Sequence, residues 1–432
     1  MFKFIHTADI HLDSPLCGLE FYEGAPVDAI RGATREALIN MVDLAIMEKI
    51  NFLLIAGDLY DGDWKDYNTG LFFAKEMSRL REAGIGVYIV FGNHDAASRI
   101  TKRLESIPSN VHHFSNKKPT TEIIEDLGVA IHGQSFPKRA VTEDISAAYP
   151  LAKQGYFNIG ILHTSLTGHA GHESYAPCTM DGLLSKNYDY WALGHVHKRE
   201  IISEVPWIIF PGNIQGRHIR ETGGKGCTLV TVEDQGDIFV EHRNLDVLRW
   251  GVCNVDASNA ESPEVIIKRL KSESKKIVDN NDGRPMALRV IISGRCVAHN
   301  ELATDLEKWT NEIRVAATDE NAGMVWIEKI KLNTSPPVDF KKMAERNDPI
   351  GELLRFINKV DSSPAGDKQA DCDFVEIMKF FEDDFIKLKS KLPGDIDRDG
   401  ALLDLKNTET LHEILKDVRQ ELVIRLLGFT QK

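Results

Sequence analysis

Short, nearly continuous apolar runs alternate with helical stretches from residue 1 to about residue 245. Apolar residues with helical spacing over 34–49 and 71–82 predict helices between the first three strands. This β-α-β-α-β order, with closer strands from residue 157, predicts an α/β fold built as a sandwich of two packed sheets with helices outside. The predicted strands are nearly all apolar, which suits strands buried on both faces; they are 2–7, 52–56, 86–91, 129–133, 157–162, 190–193, 207–210, 228–232 and 239–242.

The pattern changes near residue 250. Predicted strands at 252–256, 286–293 and 324–332 alternate with predicted helices at 263–274 and 301–310, as in a small α/β domain. Beyond a linker at 333–337 the pattern is mainly helical. Asp348 followed by Pro349 predicts a helix start, and an apolar stripe from Leu411 to Leu427 predicts the last helix. We therefore predict three regions, 1–247, 248–335 and 336–432.

Composition limits the classes of partner. The net charge of −13 argues against a surface that is basic throughout, so binding to a polyanion must be local, metal-mediated or shared with another protein. The six cysteines are isolated, without a CxxC pair, which predicts reduced thiols in the cytoplasm. The sequence shows neither a signal peptide nor an apolar run long enough for a membrane helix. We expect a cytoplasmic protein with no membrane association.

Seven residues with metal-ligand side chains follow five of the predicted strands. Ligand sites in open α/β sheets lie outside the carboxyl ends of the strands, so these side chains are placed where they can converge. They are Asp9 and His11, Asp58, Asn93, His163, and His195 with His197.

Oxygen and imidazole donors without thiolate suit Mn²⁺, Fe²⁺, Zn²⁺ or Co²⁺. Two such ions about 4 Å apart repel by roughly 15 kcal/mol at an effective dielectric near 20, and a shared carboxylate relieves this repulsion. Asp58 is the best candidate because it follows the second buried strand, in the middle of the predicted parallel sheet. A metal pair is the usual device for breaking phosphate esters.

Each segment taken alone also has an ordinary explanation. An HxH pair such as His195 and His197 is more often a surface or core pair than a metal site. Asp58 and Asn93 could be turn residues, and His163 could be a satisfied core histidine. Five such segments in order, each at a strand end, favour the metal interpretation.

His94, beside Asn93, is the candidate general acid. Enzymatic phosphate-ester hydrolysis requires the barrier to fall by roughly 20 kcal/mol or more, and one general acid supplies about 3–5 kcal/mol. Metals must supply much of the remainder, which leaves His94 to protonate the leaving oxygen or to stabilise the transition state.

The segments DIH, GDLYD, GNHD, the histidine of HTS, and GHVH resemble the five signature blocks of the calcineurin-like metallophosphoesterase superfamily. The stretches FKFIHTADIHLDSPL, LLIAGDLYD and FPGNIQGRHIRETGGKG are similar to the SbcD- and YhaO-type DNA-repair exonucleases. The resemblance covers about residues 1–245. The small domain after it matches the capping domain of that family in position only.

The resemblance implies a role for each position. One metal would be held by Asp9, His11, Asp58 and His197, and the other by Asp58, Asn93, His163 and His195. His94 would be the catalytic histidine. Mn²⁺ would be the preferred activator, with Mg²⁺, Fe²⁺, Co²⁺ and Zn²⁺ left open. DNA would be the substrate, and a homodimer working beside an SbcC-like coiled-coil ATPase the expected assembly.

Basic and aromatic residues near the ligand segments have two interpretations. The basic residues could form a phosphate-contacting rim or an ordinary solvated face; as a group they favour the rim. Tyr60, Trp64 and Tyr67 could stack on bases or pack the loop after Asp58. The basic residues are Arg99, Lys102, Arg103, Lys198, Arg199, Arg217, His218 and Arg220.

Three hypotheses follow. The first is a metal-dependent DNA nuclease that works in DNA repair or on foreign DNA, with exonucleolytic and endonucleolytic action both left open. The second is a small-molecule phosphodiesterase or phosphatase, which the acidic charge favours and the extra domain and C-terminal extension disfavour. The third is a non-catalytic adaptor, which the complete ligand set disfavours. The last apolar helix would close the accessory domain or dock on a partner, and the resemblance favours docking.

Overall fold

The computed structural model describes residues 1–14, 27–61, 67–97, 107–166, 175–337, 344–348, 351–352 and 354–355. Its helices are α1 Val27–Met47, α2 Tyr67–Glu82, α3 Asn93–Ala97, α4 Met180–Leu184, α5 Pro263–Asp279, α6 His299–Thr304 and α7 Leu306–Glu320. Its strands are β1 Phe2–Thr7, β2 Phe52–Ala56, β3 Gly86–Val90, β4 Val111–His113, β5 Thr120–Ile124, β6 Val129–Gly133, β7 Phe157–His163, β8 Tyr190–Gly194, β9 Glu200–Glu204, β10 Trp207–Phe210, β11 Gly226–Val232, β12 Ile238–Asn244, β13 Arg249–Asp256, β14 Met286–Arg295 and β15 Val325–Ser335.

These residues group into two compact units. The first contains residues 1–254, 270–291 and 314–331. The second contains residues 255–269 and 292–313 and the described residues from 332 onward. The two large sheets and every residue of the predicted metal site belong to the first unit.

The first unit contains two six-stranded mixed sheets. The first sheet has the order β12-β11-β1-β2-β3-β4, in which β1 to β4 run parallel and β11 and β12 are antiparallel additions. The second has the order β5-β6-β7-β8-β10-β9, in which β6, β7, β8 and β10 run parallel. Both sheets therefore have a parallel centre, with antiparallel pairing at one edge of the first sheet and at both edges of the second, and their central strands end at the same side.

The sheets pack face to face through a buried aromatic core. Phe4 stacks on Phe52 with ring centroids 5.0 Å apart, and Tyr190 of the second sheet meets Phe4 edge-on at 5.2 Å. Aliphatic residues of both sheets, such as Leu54 and Ile161, complete the same cluster. The predicted two-sheet α/β sandwich is confirmed, and its packing fixes the strand ends of the two sheets relative to each other.

Helices cover the outer faces of both sheets. Alternate residues of the first sheet, such as Ile5 and Leu53, pack with Leu38 and Met41 of α1 and with Met77 of α2. On the second sheet, Trp191 and Leu193 pack with Leu183 of α4. Because both faces of each central strand are covered, these strands are apolar at nearly every position, as the sequence pattern indicated.

β13, β14 and β15 form a third, three-stranded sheet in that order. Its strands and helices alternate as predicted, except that the single helix predicted at 301–310 is two helices, α6 and α7. The three predicted regions stay predictions. Most of 336–432, including Pro349 after Asp348 and the apolar helix over 411–427, lies outside the described residues.

Candidate metal centre

The seven predicted ligands lie where central strands of the two sheets end. Three segments follow parallel strands of the first sheet: Asp9 and His11 after β1, Asp58 after β2, and Asn93 after β3. The other two come from the second sheet, where His163 is the last residue of β7 and His195 and His197 follow β8. The sandwich thus brings both sets of strand ends to one pocket.

Backbone pairing continues past the strand ends and positions the first two segments. The Asp9 N–H donates to Gly57 O at 3.0 Å, and the His11 N–H donates to Asp58 O at 3.0 Å. The carboxylate of Asp58 accepts the backbone N–H of His94 at 3.0 Å, and the carboxylate of Asp9 accepts that of His195 at 3.0 Å. Each carboxylate therefore binds a neighbouring segment as well as facing the pocket.

The donor atoms form three overlapping groups, within each of which they lie within 4.8 Å of one another. These groups are Asp9 with His11 and His197, Asp9 with Asp58 and His163, and His11 with Asp58 and His94. Asp58 Oδ2 lies 3.8 Å from His11 Nε2 and 3.4 Å from His163 Nε2. Asp58 thus lies between the two sets of donors, where the proposed bridging ligand should be.

Asn93 and His195 complete the second set of donors. Asn93 Oδ1 lies 2.9 Å from His163 Nε2. The His195 ring packs against the His163 ring with centroids 5.3 Å apart and against Tyr175 at 5.6 Å. All seven predicted ligands therefore meet in one pocket, with His195 placed by ring packing.

Glycines make the close approach of these segments sterically feasible. A Cβ at Gly92 would lie 2.8 Å from His163 Nε2 and closer still to Asp58 Oδ1. A Cβ at Gly194 would overlap the carbonyl oxygen of Ala56. Any side chain at these positions would displace a donor or separate the two sheets.

The electrostatics of the pocket suit bound cations. Burial, and then the neighbouring Asp58 charge, raise the pKa of Asp9 well above its usual value. Burial lowers the pKa of His11 well below its usual value, and burial also lowers that of His163. His11 Nε2 and His197 Nε2 lie 3.3 Å apart, so neutral rings protonated at Nδ1 would direct both Nε2 lone pairs into the same small space. Divalent cations would satisfy these lone pairs and neutralise the two carboxylates, so the donor set fits the predicted metals.

His94 is held by a carboxylate that the sequence analysis did not single out. Asp61 Oδ1 lies 2.8 Å from His94 Nδ1, and its other oxygen accepts the Ser14 hydroxyl at 2.8 Å. Burial alone would lower the pKa of His94, but the hydrogen bond that its Nδ1–H donates to Asp61 and the Asp58 charge outweigh burial and raise it. His94 contacts the His11 ring with centroids 4.8 Å apart, so it lies beside the donor set with its orientation fixed.

His197 also has a carboxylate behind it. Glu221 Oε1 lies 2.6 Å from His197 Nδ1, and Glu221 is 6% exposed. Glu221 lies within the FPGNIQGRHIRETGGKG stretch, in the loop between β10 and β11, but no spacing within that stretch indicated that its side chain would reach the pocket. Asp61, in contrast, follows Asp58 by three residues within GDLYD, and this spacing could have indicated it.

The predicted basic rim is only partly within the described residues. Arg217 has a 14% exposed side chain and lies between Asp61 and Glu221, at 3.7 and 3.8 Å. Lys198 is 81% exposed and pairs with Glu200. Arg199, His218 and Arg220 lie in the same two loops as these residues, whereas Arg99, Lys102 and Arg103 lie outside the described residues.

The aromatic alternative is settled for one residue. Tyr60 is 3% exposed and packs edge-on against Phe73, so it packs its loop and cannot stack on a base. Trp64 and the side chain of Tyr67 lie outside the described residues.

Within the described part of the chain, no helix is long and apolar enough to cross a membrane. The cysteines Cys178, Cys227, Cys253 and Cys296 are buried free thiols.

Two known protein-family models match parts of the chain. The family model "Calcineurin-like phosphoesterase" matches residues 2–199, and "Metallophosphoesterase YhaO, middle domain" matches residues 250–335.

Individual known proteins are also similar to the chain. The chain is similar to "Uncharacterized metallophosphoesterase YhaO" of Bacillus subtilis, at 38% identity over 67% of this chain and 71% of that protein. It is also similar to "DNA double-strand break repair protein Mre11" of Sulfurisphaera tokodaii, at 26% identity over 72% of this chain and 78% of that protein. A solved structure of a dimetal phosphatase from Danio rerio aligns with 56% of this chain and 96% of its own, at 13% identity and a TM-score of 0.36.

Proposed function

Because the chain belongs to the calcineurin-like metallophosphoesterase superfamily, we propose that it is a metal-dependent DNA nuclease. It would hydrolyse phosphodiester bonds in DNA repair or in the processing of foreign DNA. The convergence of seven oxygen and nitrogen donors in one largely buried pocket carries this proposal, because such a pocket suits two divalent ions.

The proposed ligand sets share Asp58. Asp9, His11, Asp58 and His197 would hold one ion, and Asp58, Asn93, His163 and His195 the other. When bound, the ions supply Lewis acidity towards a phosphate oxygen and activate water as the nucleophile. Mn²⁺ is the proposed activator, and the donor set accommodates Mg²⁺, Fe²⁺, Co²⁺ and Zn²⁺ as well.

His94 is the proposed general acid. Asp61 holds its Nδ1 at 2.8 Å, which leaves Nε2 to face a substrate in the pocket. From there it would protonate the departing sugar oxygen, a contribution of about 10²–10⁴-fold in rate. Arg217 would contact a non-bridging phosphate oxygen, since its guanidinium lies beside the donor set, between Asp61 and Glu221, with a 14% exposed side chain.

Two observations support DNA as the substrate. The chain is similar to proteins named for DNA double-strand break repair over most of its length, and a buried arginine lies beside the donor set. We also propose that the chain forms a homodimer and works with an SbcC-like coiled-coil ATPase. This assembly is supported by the resemblance in residues 1–245.

The test is a substrate comparison. Purified protein with Mn²⁺ should release nucleotides from linear duplex or single-stranded DNA, and EDTA should abolish this release. The Asp58→Asn variant should be inactive, because it removes the shared carboxylate. Hydrolysis of bis(p-nitrophenyl) phosphate without any cleavage of DNA would overturn the nuclease proposal.

That second outcome would favour a small-molecule phosphodiesterase, for which the net charge of −13 is the supporting observation. A strongly acidic protein repels polyanions more than small esters. Salt dependence separates the two functions, because cleavage of DNA should weaken steeply as salt rises, whereas hydrolysis of a small diester should change little.

A further inference from the structure

Glu221 is a buried carboxylate directly behind one proposed ligand. Its Oε1 lies 2.6 Å from His197 Nδ1. Its Oε2 accepts the Asn213 side-chain amide at 2.8 Å and the backbone N–H of Arg217 at 2.7 Å. Glu221 is therefore held from two sides and has one oxygen left for the histidine.

The surroundings keep this carboxylate in its acceptor form. The guanidinium of Arg217 lies 3.8 Å from Oε1, and His218 Nε2 lies 3.4 Å from the same oxygen. Because the Glu221 carboxylate can only accept, the neutral His197 ring must carry its proton on Nδ1. Its lone pair is then on Nε2.

His163 offers a contrast within the same pocket. Its Nδ1 lies 3.0 Å from the backbone carbonyl of Ala56, a neutral acceptor. The two sets of donors thus contain histidines with different partners behind them, one a carboxylate and one a carbonyl. A carboxylate partner raises the basicity of the ligating nitrogen, and loss of such a partner typically weakens metal binding about 10–100-fold.

We propose that Glu221 is a positioning residue that holds the Nδ1–H of His197, directs Nε2 towards Asp9 and His11, and strengthens cation binding at that set of donors only. This inference rests on the proposed metal-dependent function and adds to it an asymmetry between the two ion sites. Glu221 would touch neither the ion nor the substrate.

The experiment is a Mn²⁺ titration of the full chain, with free Mn²⁺ measured by electron paramagnetic resonance. Glu221→Gln should weaken one of two binding steps about 10–100-fold and leave the other unchanged, because an amide has one acceptor oxygen and cannot serve both His197 and the donors at Oε2. The matched control is Glu200→Gln, since Glu200 pairs with Lys198 in the same part of the chain; it should leave both steps as in the parent.

A double variant tests whether Glu221 acts through His197. Glu221→Gln should have no further effect on Mn²⁺ binding in the His197→Ala background. An equal loss in both backgrounds, or both binding steps unchanged in a folded Glu221→Gln protein, would overturn the role of Glu221 alone. A parent chain that takes up no Mn²⁺ would instead overturn the proposed function.

A measurement on the parent avoids dependence on the folding of the variant. Nitrogen-15 spectra of the histidine rings at pH 8, without metal, should show His197 protonated at Nδ1, with its signal assigned by its loss in His197→Gln. Protonation at Nε2 would contradict the inference.

Discussion

Four of the donor residues hold their side chains from backbone conformations that L-residues rarely adopt. The φ angles are 51° at Asp9, 43° at His11, 53° at Asp58 and 105° at His195. Such conformations cost about 1–3 kcal/mol each and persist only where surrounding contacts hold them. Aspartate and histidine tolerate the left-handed region better than most residues, so the residue types that bind metals also suit these tight turns.

His94 is the proposed general acid and is not one of the seven proposed metal ligands. His94→Ala should reduce Mn²⁺-dependent phosphodiester hydrolysis about 10²–10⁴-fold and leave Mn²⁺ binding unchanged, because Asp58, His163 and the other donors remain. Initial rates on linear DNA and a Mn²⁺ titration measure the two quantities. His112→Ala, at an exposed histidine on β4, is the control and should retain parental activity. A His94→Ala protein that cleaves at the parental rate would remove His94 from the mechanism.

The convergence of the candidate ligands could be predicted from the sequence, whereas their hydrogen-bond partners mostly could not. Asp58 and His163 each combine a metal-binding side chain with a place directly at the end of an apolar strand, and both facts are local. Glu221 is 24 residues from His197, and its role depends on how the loop after β10 folds back. Hydrogen-bond partners of this kind are set by tertiary packing, which no local pattern encodes.

The loop after β1 is held to the helices by Asp13. Both carboxylate oxygens of Asp13 accept hydrogen bonds from Arg35 of α1 at 2.6 Å. The hydroxyl of Thr69 on α2 donates to the same carboxylate, and the Asp13 N–H donates to the Thr34 hydroxyl at 3.0 Å. One buried side chain therefore connects β1 with both outer helices, just beyond Asp9 and His11.

Removing this charge should destabilise the chain. Asp13→Asn loses the paired hydrogen bonds to Arg35, so the free energy of unfolding should fall by about 2–3 kcal/mol; Arg35 is 34% exposed, which keeps the loss below that of a fully buried pair. Urea unfolding at pH 7 gives this value. Asp43→Asn breaks an exposed pair with Arg79 and should change stability by less than about 1 kcal/mol. Equal effects of the two variants would argue against Asp13 as a structural connection.

Central strands were predictable, but among the described edge strands of the two large sheets the sequence predicted β12 and missed β4, β5 and β9. β2, β6 and β10 begin and end at the predicted residues, because both their faces are covered and an uninterrupted apolar run results. β5 and β9 were not predicted; their residues are mostly half-buried or exposed, since they lie at the edges of the second sheet. An edge strand needs few apolar positions, so its sequence resembles that of a loop.

Neutral histidines inside the sandwich couple the stability of the whole molecule to pH. Burial lowers the pKa of His6 from 6.5 to about 3, although the Leu193 carbonyl partly offsets this. His6 lies fully buried between the sheets, with Nδ1 3.0 Å from the Tyr190 hydroxyl and Nε2 3.1 Å from Leu193 O. The unfolded chain binds a proton at this histidine between pH 6.5 and 3, and the folded chain does not.

The sign of the effect follows from this difference. Stability linked to His6 is fully present above pH 6.5 and is lost as the pH falls towards 3, since the unfolded state binds more protons in that window. Between pH 7 and 4.5 the loss should be about 2–3 kcal/mol, at 1.36 kcal/mol for each pKa unit. His6→Gln keeps a donor and an acceptor without a titrating ring. Its free energy of unfolding should therefore fall less steeply over this range than that of the parent.

Urea unfolding of the parent and of His6→Gln at pH 4.5, 5.5 and 7, in EDTA, gives the slope of the free energy of unfolding against pH for each protein. The chelator is needed because bound cations would add their own pH dependence through the ligating histidines. Thr228→Val is the matched control: Thr228 pairs with His6 across β1 and β11 and is equally buried, but it does not titrate. This variant should change stability by the same amount at every pH and so keep the parental slope. If His6→Gln also kept that slope, the acid sensitivity of the fold would have to come from other buried groups.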